Sequence, residues 1–301
     1  MQIIGKTKFD FIGKRKISFI ISAIISIIGI VAIVQIARGA TNMGIDFTGG
    51  TALQLKFEKP IALQDARKAL SRQGMEVSLQ EITDGNKLLI KVGKTTLATG
   101  NVAETVTNVF KKEFTTNPFI VESSTESGPS IGGKLRKDTL IAVVVAMLGI
   151  IIYIAWRFDL KFGLAAALAT FHDVLAILAV FYILDKEVNL LLITAVLTIA
   201  GYSLTDTVVV FDRIRENMHK NLKEPLITVF NLSINEVLSR TIITSLTTLL
   251  AALSLFLFGG EVIHDFSFAL VVGILVGTYS SIFVASPLVV LWENRALRNK
   301  A

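Results

Sequence analysis

Leu197-Thr198-Ile199-Ala200-Gly201-Tyr202-Ser203-Leu204-Thr205-Asp206-Thr207-Val208-Val209-Val210-Phe211-Asp212-Arg213 closes an apolar run that begins at Leu190. From Leu190 to Phe211 the run is long enough to cross a bilayer, apart from one residue, Asp206. An ionised carboxylate near a bilayer centre costs on the order of 2.5 kcal/mol or more. A chain keeps such a group at depth only with a partner, a proton or a task. The default reading of an intramembrane acid is an ion or proton pathway.

The rest of the chain agrees that this is a membrane protein. It has 301 residues, of which 52% are hydrophobic and 18% charged. Soluble domains carry about 25% charged residues, so a soluble enzyme is a poor fit. Six stretches are long and apolar enough to span: roughly Ile17–Ala37, Thr139–Trp156, Phe162–Leu184, Leu190–Phe211, Thr241–Phe258 and Phe266–Trp292. The expected fold is therefore an α-helical polytopic membrane protein. Cysteine is absent, so neither disulfides nor thiolate metal sites arise. The three histidines, His172, His219 and His264, are scattered, and no metal site is expected.

Lys/Arg bias sets the orientation. Lys6, Lys8, Lys14, Arg15 and Lys16 precede the first span, and Arg157 and Lys161 follow the second. Arg213, Arg215, Lys220, Lys223 and Arg240 lie between the fourth and fifth, and Arg295, Arg298 and Lys300 end the chain. The opposite short loops hold Lys186 beside Asp185, Glu187, Glu261 and Asp265. Both termini are expected in the cytoplasm, with residues 212–239 a cytoplasmic loop. Trp156 and Trp292 fall at the same interface, where aromatic belts form. A signal peptide is the rival reading of the first span, but its apolar run exceeds the 7–15 residues of a signal core.

Residues 38–138 read as a separate head domain on the outer side, between residues 1–37 and the helical remainder 139–301. Gly44–Glu58 alternates, with Leu53, Leu55 and Phe57 on one face, as a strand does. Leu63–Gln73 has helical spacing ended by Gly74. Glu76–Ile82 and Lys87–Val92 read as strands joined at Asp84-Gly85-Asn86. Val102–Phe114 is amphipathic, and Phe119–Ser123 is a last strand. The order βαββαβ predicts a small ferredoxin-like α+β sandwich. Its charge is mixed, which argues against nucleic-acid binding. No Gly-Lys-Ser/Thr phosphate loop exists in the chain, so ATP is not the fuel here. Gly49-Gly50 and Gly128-Pro129-Ser130-Ile131-Gly132 bracket the head as hinges or tight turns.

Within the spans, Asp206 shares a helical face with Tyr202, Ser203, Ile199 and Ala195, and Tyr202 and Ser203 are expected to donate hydrogen bonds to it. Asp212-Arg213 reads as a local interfacial ion pair. Arg240 opens a polar ridge with Thr244, Thr247, Thr248 and Ala251. It is either a snorkelling arginine or a fixed cation near Asp206. His172-Asp173 reads as a hydrogen-bonded pair in the third span. Asp173 with Asp206 also suggests an aspartyl dyad, though the Gly-x-Gly-Asp pattern of intramembrane proteases is missing. Ala269, Gly273, Gly277 and Ser280 form a small-residue seam. Pro225–Leu238 reads as an amphipathic helix lying at the interface.

Three stretches carry a family resemblance: Gly44-Ile45-Asp46-Phe47-Thr48-Gly49-Gly50, Glu126-Ser127-Gly128-Pro129-Ser130-Ile131-Gly132 and Gly201–Asn217. Together with His172-Asp173 and Arg240-Thr241, they resemble the SecF side of the SecD/SecF protein-translocase family, in the resistance–nodulation–division superfamily. The resemblance implies SecD as partner, with the SecY-SecE-SecG channel, YajC, a translocating preprotein and membrane lipid around it. It implies use of the proton-motive force in late, ATP-independent export, with protons as coupling ion and no other cofactor. Asp206 would carry the proton and Arg240 would switch it, with Tyr202, Ser203, His172, Asp173 and Thr244 supporting. Gly44, Asp46, Gly49 and Gly50 would form the head motif, and Gly128, Pro129 and Gly132 the hinge. The runner-up is a small-molecule exporter of the same superfamily, and the plain alternative is a scaffold whose charges merely pack.

Overall fold

The computed structural model describes residues 7–75, 77–82, 86–93, 101–127, 129–260 and 262–298. Asp84 and Gly85 of the expected turn and Gly128 of the expected hinge lie outside the described residues, as do Lys6, Glu76, Glu261 and Lys300. In chain order the elements are α1 (Arg15–Arg38), α2 (Ile45–Thr48), β1 (Gly50–Phe57), α3 (Leu63–Ser71), β2 (Val77–Ile82), β3 (Lys87–Val92), α4 (Val102–Glu113) and β4 (Phe119–Ser127). They continue with α5 (Pro129–Arg157), α6 (Leu160–Ile183), α7 (Leu190–Lys220), α8 (Leu226–Phe258), α9 (His264–Ser280) and α10 (Ser286–Arg298). Two compact units result: Met43–Ile141, and Met1–Asn42 with Ala142–Ala301.

The smaller unit is a four-stranded sheet in the order β2-β3-β1-β4, with every neighbouring pair antiparallel. A split βαβ gives this order. Leu53, Leu55 and Phe57 of β1 and Leu88, Ile90 and Val92 of β3 point to one face, as period-two alternation requires. Ala66 and Leu70 of α3 and Val106 and Phe110 of α4 cover that face. Asn101 caps α4 by accepting from the Glu104 N–H, and α3 gives way to Gly74 at φ +69°.

Two strand expectations change. Gly44–Thr48 is not strand: Ile45–Thr48 makes a single helical turn, with Thr48 Oγ1 donating to the Gly44 carbonyl at 3.1 Å. The strand starts only at Gly50, because Gly49 (φ +74°) and Gly50 (φ +137°) redirect the chain through conformations that L side chains rarely adopt. A Cβ on Gly50 would also stand 2.4 Å from the Val92 carbonyl oxygen. The last strand is longer than expected, reaching Ser127, because β1 pairs with it along its whole length past an irregularity at Gln54/Leu55.

In the larger unit, six helical stretches among the described residues are long and apolar enough to cross a membrane. α6 and α9 are central, and α1, α7 and α8 pack around them. The small-residue seam decides how closely α9 meets α7: a Cβ on Gly273 would lie 2.5 Å from Ile199 Cγ1, and one on Gly277 3.0 Å from Ser203 Cβ. α5 exposes Leu140, Val144, Val145, Leu148 and Ile152, an apolar surface suited to lipid.

Two helical expectations change as well. Pro225–Leu238 is not a separate interfacial helix, and residues 212–239 are not a loop. α7 runs on to Lys220 and α8 starts at Leu226, so only 221–225 connect them. The apolar face of that segment (Val229, Phe230, Ile234 and Leu238) is buried beside Phe211 and Ile214 rather than laid on a membrane. The sixth span is interrupted: Ser281–Ala285 form a π-helical turn between α9 and α10. Pro287 lacks the N–H needed for a regular ladder, and Ser286 Oγ donates to the Ser281 carbonyl at 3.0 Å.

Candidate functional site

Two polar knots lie inside the helical unit, one around each buried acid. Asp206, on α7, is 6% exposed. Ser245 Oγ of α8 donates to its Oδ2 at 3.2 Å, and Thr278 Oγ1 of α9 lies 2.7 Å from Ser245 Oγ. Thr278, Ser245 and Asp206 can therefore form one donor chain across three helices. Thr244 Oγ1 donates instead to the Arg240 and Thr241 carbonyls of its own helix, at 3.1 and 2.9 Å, and Arg240 lies within electrostatic reach of Asp206. No ion pair within 4 Å joins Asp206 to Arg240 among the described residues, and Arg240 is exposed.

The second knot closes on Asp173 of α6, which is fully buried. Ser203 of α7 donates to Oδ2 at 2.5 Å and Ser280 of α9 at 2.8 Å, while His172 Nδ1 lies 3.0 Å from Oδ1. Beside it, Thr207 Oγ1 and Ser281 Oγ are 2.8 Å apart. Three helices thus meet on one carboxyl group. Satisfied buried polar groups of this kind fix helix register, because each partner left alone would cost about 1–3 kcal/mol.

The arrangement corrects three expectations. Ser203 serves Asp173, not Asp206, because its hydroxyl faces α6. The Tyr202 hydroxyl has no protein partner among the described residues, so neither expected donor reaches Asp206. Asp212 and Arg213 do not pair with each other: Arg157 holds Asp212 at 3.0 Å, and Arg213 holds Glu216 at 2.6 Å and Glu236 at 2.7 Å. Asp173 and Asp206 share no hydrogen bond and sit in separate networks, which is unlike a proton-sharing dyad.

The remaining sequence candidates fall elsewhere. Gly44 precedes α2, Asp46 lies in its first turn, and Gly49 and Gly50 follow it. Pro129 opens α5, and Gly132 lies within it with Phe47 and Gly49 backbone against its Cα. Ser245, Thr278, Thr207 and Ser281 were not singled out from sequence. Their signal is a hydroxyl on the buried stripe of a membrane helix, which is common enough to pass unnoticed.

A six-helix membrane protein with a small α+β domain and a buried acid held by hydroxyls defines a class: polytopic proteins with a polar core inside the bilayer. The comparisons narrow that class. Residues 105–295 match the model of protein export membrane protein SecD/SecF, C-terminal, and residues 41–61 match the SecD/SecF GG motif. A protein translocase subunit SecF from Thermodesulfovibrio yellowstonii is 52% identical, over 99% of both chains. One from Calditerrivibrio nitroreducens is 44% identical, over 95% of this chain and 94% of the relative. The crystal structure of SecDF, a translocon-associated membrane protein from Thermus thermophilus, superposes with TM-score 0.84 at 37% identity over 96% of this chain. A SecDF structure in a super-membrane-facing form gives TM-score 0.71 at 36% identity. This chain spans only 39% and 40% of those two SecDF chains. The chain belongs to the SecD/SecF family of protein export membrane proteins, on its SecF side.

Proposed function

We propose that this chain couples the proton-motive force to late, ATP-independent steps of protein export, with Asp206 as the proton-carrying acid and Arg240 as the cation that switches it. One observation carries the reading: a buried carboxyl group is held by the Ser245 hydroxyl of α8, with an arginine of the same helix within electrostatic reach but not bonded to it. A bonded pair would lock the carboxylate, and a distant arginine would ignore it. An unbonded cation within electrostatic reach changes the balance between carboxyl and carboxylate whenever α8 moves against α7. No covalent chemistry by the chain is proposed, and no cofactor beyond the proton.

SecD is the proposed partner. The solved relatives carry SecD and SecF in one name, and this chain fills 39–40% of their length. The ridge Arg240, Thr244, Thr247 and Thr248 gives SecD a place to sit: these residues lie outside the core of this chain, and a polar ridge is a poor surface to leave in hydrocarbon. The SecY-SecE-SecG channel, YajC and a translocating preprotein are the proposed further partners. Lys/Arg bias supports cytoplasmic termini and a head, Met43–Ile141, on the outer face of the plasma membrane. There the head would act on the emerging polypeptide, with Gly128, Pro129 and Gly132 at its junction with the helices.

The energetics are adequate. A proton crossing 100 mV releases about 2.3 kcal/mol. Turning a two-state equilibrium from 1:99 to 99:1 needs about 5.5 kcal/mol. About three protons per stroke suffice at that potential. The test is a strain whose only copy carries Arg240→Gln or Arg240→Lys. Both variants should assemble with SecD, and both should lose force-dependent export, Arg240→Lys less completely. Full export by Arg240→Gln would overturn the switching role.

A further inference from the structure

A groove of about 570 Å³ opens between α8, α9 and the segment that precedes α1. Its walls are apolar, among them Phe11, Ile242, Leu246, Leu275 and Ile282, with Phe9 at its rim. Ser245 and Thr278 also line it, so it lies one side chain away from Asp206. From Leu238 to Leu249, eleven steps of about 1.5 Å each, it runs about 16 Å along α8. That is about half of the ~30 Å hydrocarbon core, the depth of one leaflet.

Two observations say what fills it. The first is direction. At 3.6 residues per turn, Ile242, Leu246 and Leu249 lie on the side of α8 opposite Arg240, Thr244 and Thr247. A partner that covers the polar ridge leaves the groove side facing lipid. The second is charge. The segment that closes the groove is held in place: Phe11 and Ile12 donate their N–H groups to Asn231 Oδ1 at 2.9 and 3.1 Å, and Phe9 donates to Asn235 Oδ1 at 3.0 Å. It carries Lys8 and Lys14 and runs into Arg15 and Lys16 in the first turn of α1, none of them in an ion pair within 4 Å among the described residues. Its acid, Asp10, is occupied by the Gly13 N–H and Asn231. An apolar slot one leaflet deep, closed by an anchored segment that leads into the basic run Lys14-Arg15-Lys16, suits one molecule class: an anionic phospholipid, with an acyl chain in the slot and its headgroup among the cations.

We propose that this groove is a binding site for one anionic phospholipid, whose acyl chain seals the Ser245–Thr278 wall of the polar core on its lipid side. The site stands whether or not Asp206 carries protons.

The test is the purified full chain in nanodiscs of equal parts phosphatidylglycerol and phosphatidylcholine, washed in detergent and weighed by native mass spectrometry. One phosphatidylglycerol should stay with the wild-type chain. Retention should fall at least tenfold in Leu246→Trp, which fills the slot, and in the Lys14→Gln, Arg15→Gln, Lys16→Gln triple variant. It should not fall in Val145→Trp, on the exposed face of α5. Should Leu246→Trp misfold, wild-type chain with phosphatidylglycerol bearing a photoreactive acyl chain gives the answer: adducts should fall on the α8 and α9 groove residues. Equal retention in Leu246→Trp, adducts confined to α5, or equal preference for phosphatidylcholine would overturn the proposal. So would cross-linking of a single Leu246→Cys, in an otherwise cysteine-free chain, to a partner polypeptide instead of lipid.

Discussion

Gly273→Ala should loosen the polar core from a distance, and the geometry says by how much. The added Cβ would lie 2.5, 2.7 and 2.9 Å from Cγ1, Cγ2 and Cδ1 of Ile199. Two of these atoms are bonded to a branched Cβ, so Ile199 cannot swing away as a long flexible side chain would. α9 must move off α7, or Ile199 must leave its rotamer. Overpacking of this kind costs about 1–3 kcal/mol. The displaced helix carries Thr278 and Ser280, which close the Asp206 and Asp173 knots. Stability and force-dependent export should therefore fall together. Equilibrium unfolding in mixed micelles reads the first, and export from cells the second. Ile199→Ala removes every clashing atom, so Gly273→Ala made in that background should be neutral or stabilising, a coupling of about 1–3 kcal/mol in a double-mutant cycle. Strictly additive costs would show that the seam does not set the α7–α9 spacing.

Other outcomes follow from single contacts. Asp173→Ala leaves the Ser203 hydroxyl buried without its acceptor, at about 1–3 kcal/mol, while Ser280 keeps the Gly277 carbonyl; unfolding in micelles should show a larger loss than Asp173→Asn, which keeps an acceptor oxygen. Ser245→Ala removes a donor to Asp206 worth about 0.5–1.5 kcal/mol; it should slow force-dependent export roughly two- to tenfold while the fold persists. The Gly13 N–H and the Asn231 amide hold the Asp10 carboxyl below its ordinary value of 3.8. A lowered pKa means the fold favours the ionised form, so the N-terminal clasp is at full strength above that value and weakens as pH falls through and below it. Protection factors against hydrogen exchange at Phe11 and Ile12, taken relative to the intrinsic rate at each pH, should fall on that acidic limb, and Asn231→Ala should reproduce the effect at neutral pH.

Much of this was readable in the sequence, for identifiable reasons. The six spans were legible because a bilayer demands long uninterrupted apolar helices. The head topology was legible because β1 and β3 alternate and their neighbours are amphipathic. What the sequence hid was the partner of each polar side chain. Periodicity puts Ser203 and Asp206 on the same face of α7, yet the first turns to Asp173 and the second to Ser245, because different helices lie against successive turns. The segment 225–238 looked interfacial because its apolar face matches a membrane surface as well as it matches Phe211 and Ile214. The groove beside α8 had no sequence signal, since its walls come from three separate stretches.

The measurement that bears most directly on the account is export of a secreted precursor from cells whose only copy carries Asp206→Asn, with the proton-motive force intact and then collapsed. The account predicts a variant that still assembles with its partner but exports at the same reduced rate in both conditions. If Asp206→Asn keeps the full dependence of export on the force, Asp206 is a packing residue and the coupling reading is wrong.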